Sequence, residues 1–469
     1  RRLLRLLHDK TTILTIKTDK IMKVKSLLFV LVAMFFAATA TASEPLYQFH
    51  SSNGYKHRVT TTDNVVYLLF DDVVNSYGDI VHRAVLLDAT AFVGTRYEIP
   101  TEITQDGTEY YVNEISPYAF NYMKTLESVK LPRTIKGIGE RAFRGCTNLK
   151  TVDCPIFYIE YIGRDVFEGT PWLENYKEEQ RNKYSTLAIW RGWVLGITDN
   201  ITYEKLAIQE KVTGVCTNAF VSDKYTVESK TITIPASLKY FCYPADGDNK
   251  ALAKLENFEV TKGNEYFYEY GDGVLYMHDS KYLWLSIYPP GKKDRKYTTK
   301  WGARIKGKAF YGAQRLTEVI ISDFVTNLED HTFRDCRVEY IQLPETLKSM
   351  NSAINGCMYL NTVILPSAKK VERGVADVNF ADCNGGLTLY VPADLVSEYR
   401  LDKGYTKYIK APRIQPIDPQ AVGVEQTMTG GSAEIKAIYS ADGTRLNAMQ
   451  CGVNIVRMSD GTVKKVIHE

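Results

Sequence analysis

Short segments in which apolar and polar residues alternate recur along the chain, and each of them ends at a proline. Val129–Pro132, Val152–Pro155, Ile232–Pro235 and Ile341–Pro344 share this pattern, in which the first and third residues are apolar. Because successive side chains of a strand point to opposite faces of a sheet, the pattern predicts a short strand with one buried face. Proline has no N–H group to donate to a neighbouring strand, so it ends each of these strands.

A second apolar pattern precedes most of these strands. It reads I-x-x-x-A-F and has a leucine six residues after the phenylalanine, as in Ile115–Leu126 and Ile138–Leu149, whose first residues lie 23 positions apart. One copy cannot bury its own apolar side, so consecutive copies must stack on one another. A fixed period in the low twenties is typical of a leucine-rich solenoid, and here it predicts a mainly β array with parallel strands.

Partial copies of the pattern return further along the chain. They begin at residues 162, 215, 305, 328 and 350, and a last strand is predicted at 387–392. The phenylalanine takes the same place in each copy, which predicts a buried column of rings. The residues of this predicted column are Phe120, Phe143, Phe167, Phe220, Phe310 and Phe333.

The complete pattern, I-G-x-x-A-F-x-G-C-x-x-L-x-x-V-x-L-P, resembles the BspA-type leucine-rich repeats of bacterial surface proteins. Ile138–Pro155 is a full copy, and Met350–Pro366 is a full copy with more substitutions. The A-F and G-C pairs distinguish the pattern from the commoner L-x-x-L-x-L-x-x-N repeat. The resemblance extends from about Ile99 to Pro412. It implies a position at the cell surface and a binding role, and it does not specify a ligand.

The outward-facing residues of the repeat strands form the predicted binding surface. A residue between two inward-facing neighbours of a strand must face solvent, and stacked coils would join these residues into one strip with rows about 4.8 Å apart. The predicted binding residues are Lys130, Asp153, Thr233, Ile320, Tyr340, Gln342, Ile364 and Tyr390. Large exposed apolar groups often mark interaction sites; alternatively, the C-terminal segment or a neighbouring loop covers them.

Residues 22–42 have the three parts of a secretory signal peptide. Lys23 and Lys25 precede an apolar stretch of 12 residues, Leu27–Ala38, and A-T-A follows at Ala40–Ala42. This stretch is shorter than the roughly 20 residues of a membrane span. We therefore expect an exported protein that begins at Met22, with residues 1–21 as mis-assigned upstream translation.

Removing this leader changes the charge of the chain. The whole sequence has 58 basic and 55 acidic side chains, whereas residues 43–469 retain 50 and 53, a net charge of −3. Nucleic-acid binding would require a basic stripe, so we expect no nucleic-acid partner. The expected partner is a protein or glycan of a host, a matrix or a neighbouring cell.

Two further regions flank the repeat array, which is assigned to residues 101–410. Residues 43–100 are predicted to form a β cap, with strands at Val65–Phe70 and His82–Leu87, because an open solenoid end would expose strand edges. The sequence of Asp394–Lys410 predicts a short helix and a closing turn. Ala411–Gln420 is rich in proline, which predicts a stiff linker.

Between Trp172 and Trp301 the sequence departs from the repeat pattern. Arg191–Thr198 and Gly271–Pro289 predict β-hairpins inserted into the coils. The aromatic residues of this region either bind sugar rings or proteins, or they pack on the solenoid. They are Tyr266, Phe267, Tyr268, Tyr270, Tyr276, Tyr282, Trp284 and Tyr288.

The tail, residues 421–469, predicts a small separate β domain with turns at Asp442-Gly443 and Asp460-Gly461. Its pattern I-Y-S-x-D-G-x-R-L, followed by G-V-N-I-V-R, resembles the C-terminal sorting domain of type IX secretion. That resemblance implies export across a Gram-negative outer membrane and attachment to its extracellular face. A plain β cap without a sorting role is the alternative.

No recognisable catalytic or metal-binding motif occurs in the sequence, including G-x-S-x-G, H-E-x-x-H and C-x-x-C. Asp246–Asn249 resembles the start of a calcium loop but lacks the mid-loop glycine and the late glutamate that such a loop requires. Four cysteines at the G-C position predict a buried column of free thiols. They are Cys146, Cys336, Cys357 and Cys383.

We therefore expect an exported, cell-surface leucine-rich repeat protein that binds a macromolecule, with no catalysis, cofactor or metal. Two alternatives stay open: a hydrolase or glycan-processing accessory with its site in residues 172–301, and a structural surface spacer. A buried pair of carboxylates near Gly271–Pro289 would favour the first alternative, and a featureless polar sheet would favour the second.

Overall fold

The computed structural model describes residues 54–74, 80–242, 249–279, 281–300, 302–374 and 377–417, together with strands between residues 435 and 468. The predicted leader at 1–42, the acidic loop at Asp246–Asp248 and Cys451 lie outside the described residues. Most of the described chain consists of short strands and turns.

The strands of the first part of the chain are β1 (His57–Thr60), β2 (Val66–Val74), β3 (Ile80–Asp88), β4 (Arg96–Glu98), β5 (Glu102–Gln105), β6 (Thr108–Ile115), β7 (Ser128–Lys130), β8 (Gly137–Ile138), β9 (Thr151–Asp153) and β10 (Tyr161–Ile162). The middle part contains helix α1 (Pro171–Asn182), then β11 (Leu187–Trp190), β12 (Trp193–Ile197), β13 (Lys205–Ala207), β14 (Gly214–Val215), β15 (Thr231–Ile234), β16 (Tyr240–Phe241), β17 (Asn257–Val260), β18 (Phe267–Tyr268), β19 (Leu275–His278) and β20 (Leu283–Ile287).

The later coils contain β21 (Lys296–Thr298), β22 (Ala303–Ile305), β23 (Glu318–Ile320), β24 (Asn327–Leu328), β25 (Tyr340–Gln342), β26 (Ser349–Met350), β27 (Thr362–Ile364), β28 (Glu372–Arg373), β29 (Thr388–Val391), helices α2 (Val396–Leu401) and α3 (Lys403–Thr406), and β30 (Ile414–Pro416). The tail contains β31 (Ile435–Ser440), β32 (Arg445–Leu446), β33 (Gly452–Met458) and β34 (Val463–His468), which pair antiparallel in the order β32-β31-β33-β34.

A typical coil of the array contributes short strands to two faces. The V-x-L strands pair in parallel as β4-β7-β9, as β13-β15-β17 and as the six-stranded sheet β21-β23-β25-β27-β29-β30. The strands that begin the I-x-x-x-A-F segments pair in parallel on the other face, as in β8-β10 and β24-β26-β28. The apolar side chains of the two faces meet between them, so each coil completes the burial of its neighbours.

The A-F and G-C segments of successive coils are joined by backbone hydrogen bonds, although these segments are turns and not strands. The N–H of Phe120 donates to the carbonyl of Ala142 in the next coil at 2.8 Å. Gly145 has a φ of 69°, in the left-handed region that glycine adopts without steric cost. A Cβ atom at this position would lie 2.3 Å from the ring of Tyr122. Backbone conformation and the close approach of Tyr122 therefore both favour glycine at this position.

The cysteine at the G-C position connects three of the coils to the one before. The thiols of Cys146, Cys336 and Cys357 donate to the carbonyl of the phenylalanine in the preceding coil, at 2.9, 2.7 and 2.7 Å. Burial raises the pKa of Cys146 to about 11 and that of Cys336 to about 12. These three thiols are buried, whereas Cys383 in the last coil is partly exposed.

All six repeat phenylalanines are buried, but their rings form two stacks rather than one column. The stacked pairs are Phe120–Phe143, Phe143–Phe167 and Phe310–Phe333, with centroids 4.8, 5.4 and 4.9 Å apart. Phe220 packs instead near Phe241, at 6.1 Å. Helix α1 and the hairpin β11–β12 follow Phe167, whose ring contacts Trp172 and Trp190, and this insertion interrupts the stack.

The described residues form two large apolar clusters. The first extends from the N-terminal cap to the hairpin β19–β20, and the second extends from that hairpin to β30. Leu275 and Ile287 of the hairpin belong to the first cluster, whereas Tyr276 and Leu285 belong to the second. The inserted hairpin is therefore the place where the two parts of the core meet.

Both ends of the array are covered. Strands β1, β2 and β3 pair antiparallel, and β3 continues in parallel into β6 and β8, so β2 and β3 contain the two strands predicted for the cap. At the other end Tyr399 and Tyr405 of α2 and α3 are buried.

Residues 414–416 form β30 and extend the sheet from β29. The linker predicted at 411–420 is therefore wrong for these residues, because Ile414 completes the core of the last coil.

Within the described ranges, no helix is long and apolar enough to cross a membrane.

Candidate binding surface

The six-stranded sheet carries two rows of side chains on its outer face. Its strands are all parallel, and the register fixes which residues are neighbours. The first row is Lys296, Glu318, Tyr340, Thr362 and Thr388, and the second row is Thr298, Ile320, Gln342, Ile364, Tyr390 and Gln415. At about 4.8 Å between strands, the longer row extends for about 24 Å. We call these two rows the C-terminal strand face.

The predicted binding residues lie on three separate sheets, so the prediction of one contiguous strip is wrong. Lys130 and Asp153 lie in β4-β7-β9, Thr233 lies in β13-β15-β17, and the other five lie in the C-terminal strand face. Helix α1 and the hairpin β11–β12 are inserted between the first and second sheets, and the hairpin β19–β20 between the second and third. These insertions interrupt the regular succession of V-x-L strands.

Ile364 does not belong to the accessible surface. Its side chain is 2% exposed, although its strand position faces outward. The register places it between Gln342 and Tyr390 on the adjacent strands. Because both neighbours are longer than isoleucine, they shield it from solvent. The prediction that Ile364 contributes an exposed apolar group is therefore wrong.

Ile320, Tyr340 and Tyr390 remain half-buried on the C-terminal strand face. The hydroxyl of Tyr340 donates to the side-chain oxygen of Gln342 at 3.3 Å. Burial raises the pKa of Tyr340, so its hydroxyl is neutral at physiological pH. These residues present apolar surface with one oriented amide among them.

Charged residues of the three sheets pair with each other across strands. Lys130 bonds to Glu98, which raises the pKa of Lys130, and Lys296 lies 2.7 Å from Glu318. Exposed pairs of this kind contribute little to stability. From β25 to β29 the two rows contain only tyrosine, threonine, glutamine and isoleucine. The C-terminal strand face therefore has an uncharged centre beside an ion pair at its first strands.

The aromatic residues of the middle region divide into two groups. Tyr266, Phe267, Tyr276 and Tyr288 are buried, as expected if they pack on the solenoid. A second group retains accessible surface, namely Tyr268, Tyr270, Tyr282 and Trp284. Sequence reasoning missed the two cations beside this second group, Arg304 and Lys306. Arg304 could have been found, because it stands between the apolar Ala303 and Ile305 and must therefore face outward.

The described residues offer no arrangement for metal binding, since no group of three or more His, Cys, Asp or Glu side chains converges there. Within the described part of residues 271–289 no carboxylate is buried. Although burial alone would raise the pKa of Asp279, hydrogen bonds from the N–H groups of Lys281 and Tyr282 lower it. The feature that would favour a hydrolase is thus not found in this segment.

Comparison with protein families identifies the repeat. A family model described as "BspA type Leucine rich repeat region" matches residues 113–245 and 301–395 in six copies. The unmatched segment between these ranges includes β17 to β21 and the inserted hairpin β19–β20. Among curated proteins, none matches this sequence.

Several solved structures are similar at low sequence identity. A leucine rich cell surface protein from Faecalibacterium prausnitzii is 18% identical, with 80% of this chain and 98% of that chain covered and a TM-score of 0.33. A leucine-rich repeat protein from Eubacterium ventriosum is 17% identical, with 72% and 78% covered and a TM-score of 0.36. The pneumococcal vaccine antigen PcpA is 16% identical, with 78% and 100% covered and a TM-score of 0.33.

No site or ligand is transferred from these structures at such similarity. The evidence for the family is the matched repeat itself, whose A-F turn, glycine with positive φ and coil-linking cysteine all have structural roles in this chain. This chain belongs to the BspA-type leucine-rich repeat family.

Proposed function

We propose that this chain is an exported cell-surface protein that binds a macromolecular partner, a protein or a glycan, through the C-terminal strand face. The observation that carries this proposal is the uncharged centre of that face, where Tyr340 and Tyr390 keep accessible apolar surface, with Ile320 on the adjacent strand β23. Tyrosine is enriched in the cores of protein interfaces, from which charged residues are depleted. Apolar groups grouped on a flat, regular surface are typical of an interaction site.

A binding role suits this architecture better than catalysis does. Leucine-rich repeat proteins present an extended surface made of many coils, and the described residues contain no metal-binding group. The signal-peptide pattern at 22–42 and the sorting-like pattern at 421–469 support export and attachment to the extracellular face of an outer membrane. The alternative of a structural spacer receives less support, because a spacer needs no apolar centre on its strand face.

A binding screen tests the proposal. The mature chain, residues 43–469, is applied to immobilised extracellular-matrix proteins and glycans. For each component that binds it, the affinity is then measured for the unchanged chain and for the triple variant Ile320→Ser, Tyr340→Ser and Tyr390→Ser. Binding should fall at least tenfold, which corresponds to about 1.4 kcal/mol, because the variant removes the apolar contacts but no charge.

The matched control removes three largely exposed apolar groups elsewhere, Val93→Ser, Phe157→Ser and Tyr184→Ser, which are 85%, 83% and 97% exposed. This control should bind like the unchanged protein. Both triple variants are first compared by circular dichroism to establish that they fold. Equal binding by the strand-face variant, or capture of no component by the unchanged chain, would contradict the proposal.

A further inference from the structure

A second surface with its own chemistry lies on the hairpin β19–β20 and the adjacent strand β22. The register aligns Met277, Trp284 and Arg304 across these three strands. Leu285 on one side of the sheet is buried in the core, as are Ala303 and Ile305. Because side chains alternate along a strand, Trp284 and Arg304 project from the opposite side.

Two cations lie against the aromatic rings of this surface. The guanidinium carbon of Arg304 is 3.4 Å from the ring centroid of Tyr282 and 5.6 Å from that of Trp284. The ammonium of Lys306 is 4.3 Å from the Trp284 centroid. Cations positioned over ring faces are attracted by the ring quadrupole. We call Tyr282, Trp284, Arg304 and Lys306 the hairpin patch.

The two cations of the hairpin patch are not held in salt bridges. Neither Arg304 nor Lys306 forms a salt bridge with a carboxylate in the described part of the chain, and the Nε atom of Arg304 is buried without a hydrogen-bond partner there. By contrast, Lys205 and Lys296 on the repeat strands are paired with glutamates. A stacked guanidinium that has no carboxylate as a salt-bridge partner can bind an anion from solution through two parallel N–H groups.

Asp279 contacts Trp284 of the patch and lies close enough to Lys306 for an electrostatic interaction, and it also has a structural role. Asp279 accepts hydrogen bonds from the N–H groups of Lys281 and Tyr282 at 2.8 and 2.6 Å, and from the indole N–H of Trp284 at 2.7 Å. These bonds fix the turn of the hairpin and the orientation of the indole. The result is a rigid ring beside two cations, on a surface that requires little ordering when a ligand binds.

We propose that the hairpin patch binds an acidic polysaccharide, with a uronic-acid carboxylate paired to Arg304 and the sugar ring lying against the neighbouring aromatic and guanidinium faces. An aromatic ring offers a flat apolar face of the size of a sugar ring, and the two cations select for an acidic one. This inference goes beyond the proposed function, since it concerns a different sheet and a defined ligand class.

The position of the patch favours a polysaccharide over an extended acidic peptide. An extended peptide that binds by main-chain hydrogen bonds needs a free strand edge. Trp284 lies on β20, which pairs with β19 on one side and with β22 on the other. Trp284 can therefore be reached only from the face of the sheet, through side chains, whereas Arg304 lies on β22, the last strand of this sheet in the described residues. Two cations are also too few for a nucleic acid, whose affinity depends on many phosphate contacts.

The test measures binding of the mature chain to alginate, a polymer of uronic acids, by isothermal titration calorimetry at low salt. Arg304→Met should weaken binding at least tenfold, because it removes the carboxylate partner and keeps the length of the side chain. The matched control is Arg337→Met, since Arg337 also stacks on a tyrosine, Tyr359, at 5.0 Å but stands outside the patch. This control should bind within twofold of the unchanged chain.

Further measurements decide between ligand classes. Dextran, which is neutral, and poly-glutamate, an acidic peptide, should each bind at least tenfold more weakly than alginate; equal binding of either one would overturn the proposal. If Arg304→Met does not fold, Lys306→Met takes its place, with an expected loss of at least threefold. Alginate should also change the tryptophan fluorescence of the unchanged chain, but not the remaining fluorescence of Trp284→Phe. Absence of that difference would likewise contradict the proposal.

The strand-face triple variant separates this proposal from the proposed function. Ile320→Ser, Tyr340→Ser and Tyr390→Ser lie on another sheet, so they should leave alginate binding unchanged. A loss of alginate binding in that variant would place the acidic-glycan site on the strand face and overturn the assignment to the hairpin patch.

Discussion

Phe143 lies in the middle of the first ring stack, between Phe120 and Phe167, and is fully buried. Phe143→Ala should lower the free energy of unfolding by about 3–5 kcal/mol, because it leaves a cavity that the stacked coils cannot close. Denaturant titration followed by circular dichroism measures the loss. Phe157→Ala is the matched control, since Phe157 is 83% exposed and should change stability little. A Phe143→Ala variant as stable as this control would contradict the packing argument.

The cysteines differ in reactivity although most share one repeat position. Interaction with the side chain of Cys357 lowers the pKa of Cys383, which is also partly exposed. Burial raises the pKa of Cys146 and Cys336. Because the thiolate is the nucleophile, iodoacetamide at pH 8 should modify Cys383 before these two, as measured by peptide mapping. In denaturant all three should react at similar rates, whereas faster native modification of Cys146 would refute the prediction.

At the scale of elements, one carboxylate connects several strands of the N-terminal cap. Asp71 on β2 accepts hydrogen bonds from Lys56 and, at 2.9 Å, from His82 on β3. Hydrogen bonding to Lys56 lowers the pKa of Asp71 to about 2. Because the folded pKa lies below the ordinary value near 4, the network stabilises the cap above that value, and the stabilisation is lost as the pH falls to about 2.

Asp71→Asn should therefore lower the melting temperature at pH 7, and the difference from the unchanged chain should vanish near pH 2. Asp106→Asn is a suitable control, because Asp106 lies in an exposed turn with a φ of 52° that asparagine also adopts. A difference between Asp71→Asn and the unchanged chain that persists at pH 2 would show that the carboxylate charge is not its cause.

The repeat elements were predictable from local chemistry, whereas their interruptions were not. V-x-L-P segments such as Val129–Pro132 encode a strand and its end within four residues, so pattern alone locates them. The burial of Ile364 depends on the lengths of its neighbours on other strands, which no local pattern records. The hairpin patch depends likewise on the register between β20 and β22, which places Arg304 beside Trp284.

At the scale of the whole molecule, we expect the tail to act in sorting the protein to the cell surface and not to contribute to the fold of the array. The strands β31–β34 pair only with each other in the described sheets, and the core of the last coil is completed by Ile414. Deletion of residues 421–469 should therefore leave the circular dichroism spectrum and melting temperature of the array unchanged. In the native host it should abolish surface display, measured by antibody labelling of intact cells. Display of the truncated chain at normal levels would contradict the sorting role.

The hairpin β19–β20 also determines how the molecule responds to damage. Its apolar residues belong partly to one core and partly to the other, so the hairpin couples the two parts of the array. Repeat proteins lose cooperativity where a single interface is weak. A protease or a heat pulse that destroys the N-terminal coils would then leave the six-stranded sheet folded and the C-terminal strand face intact.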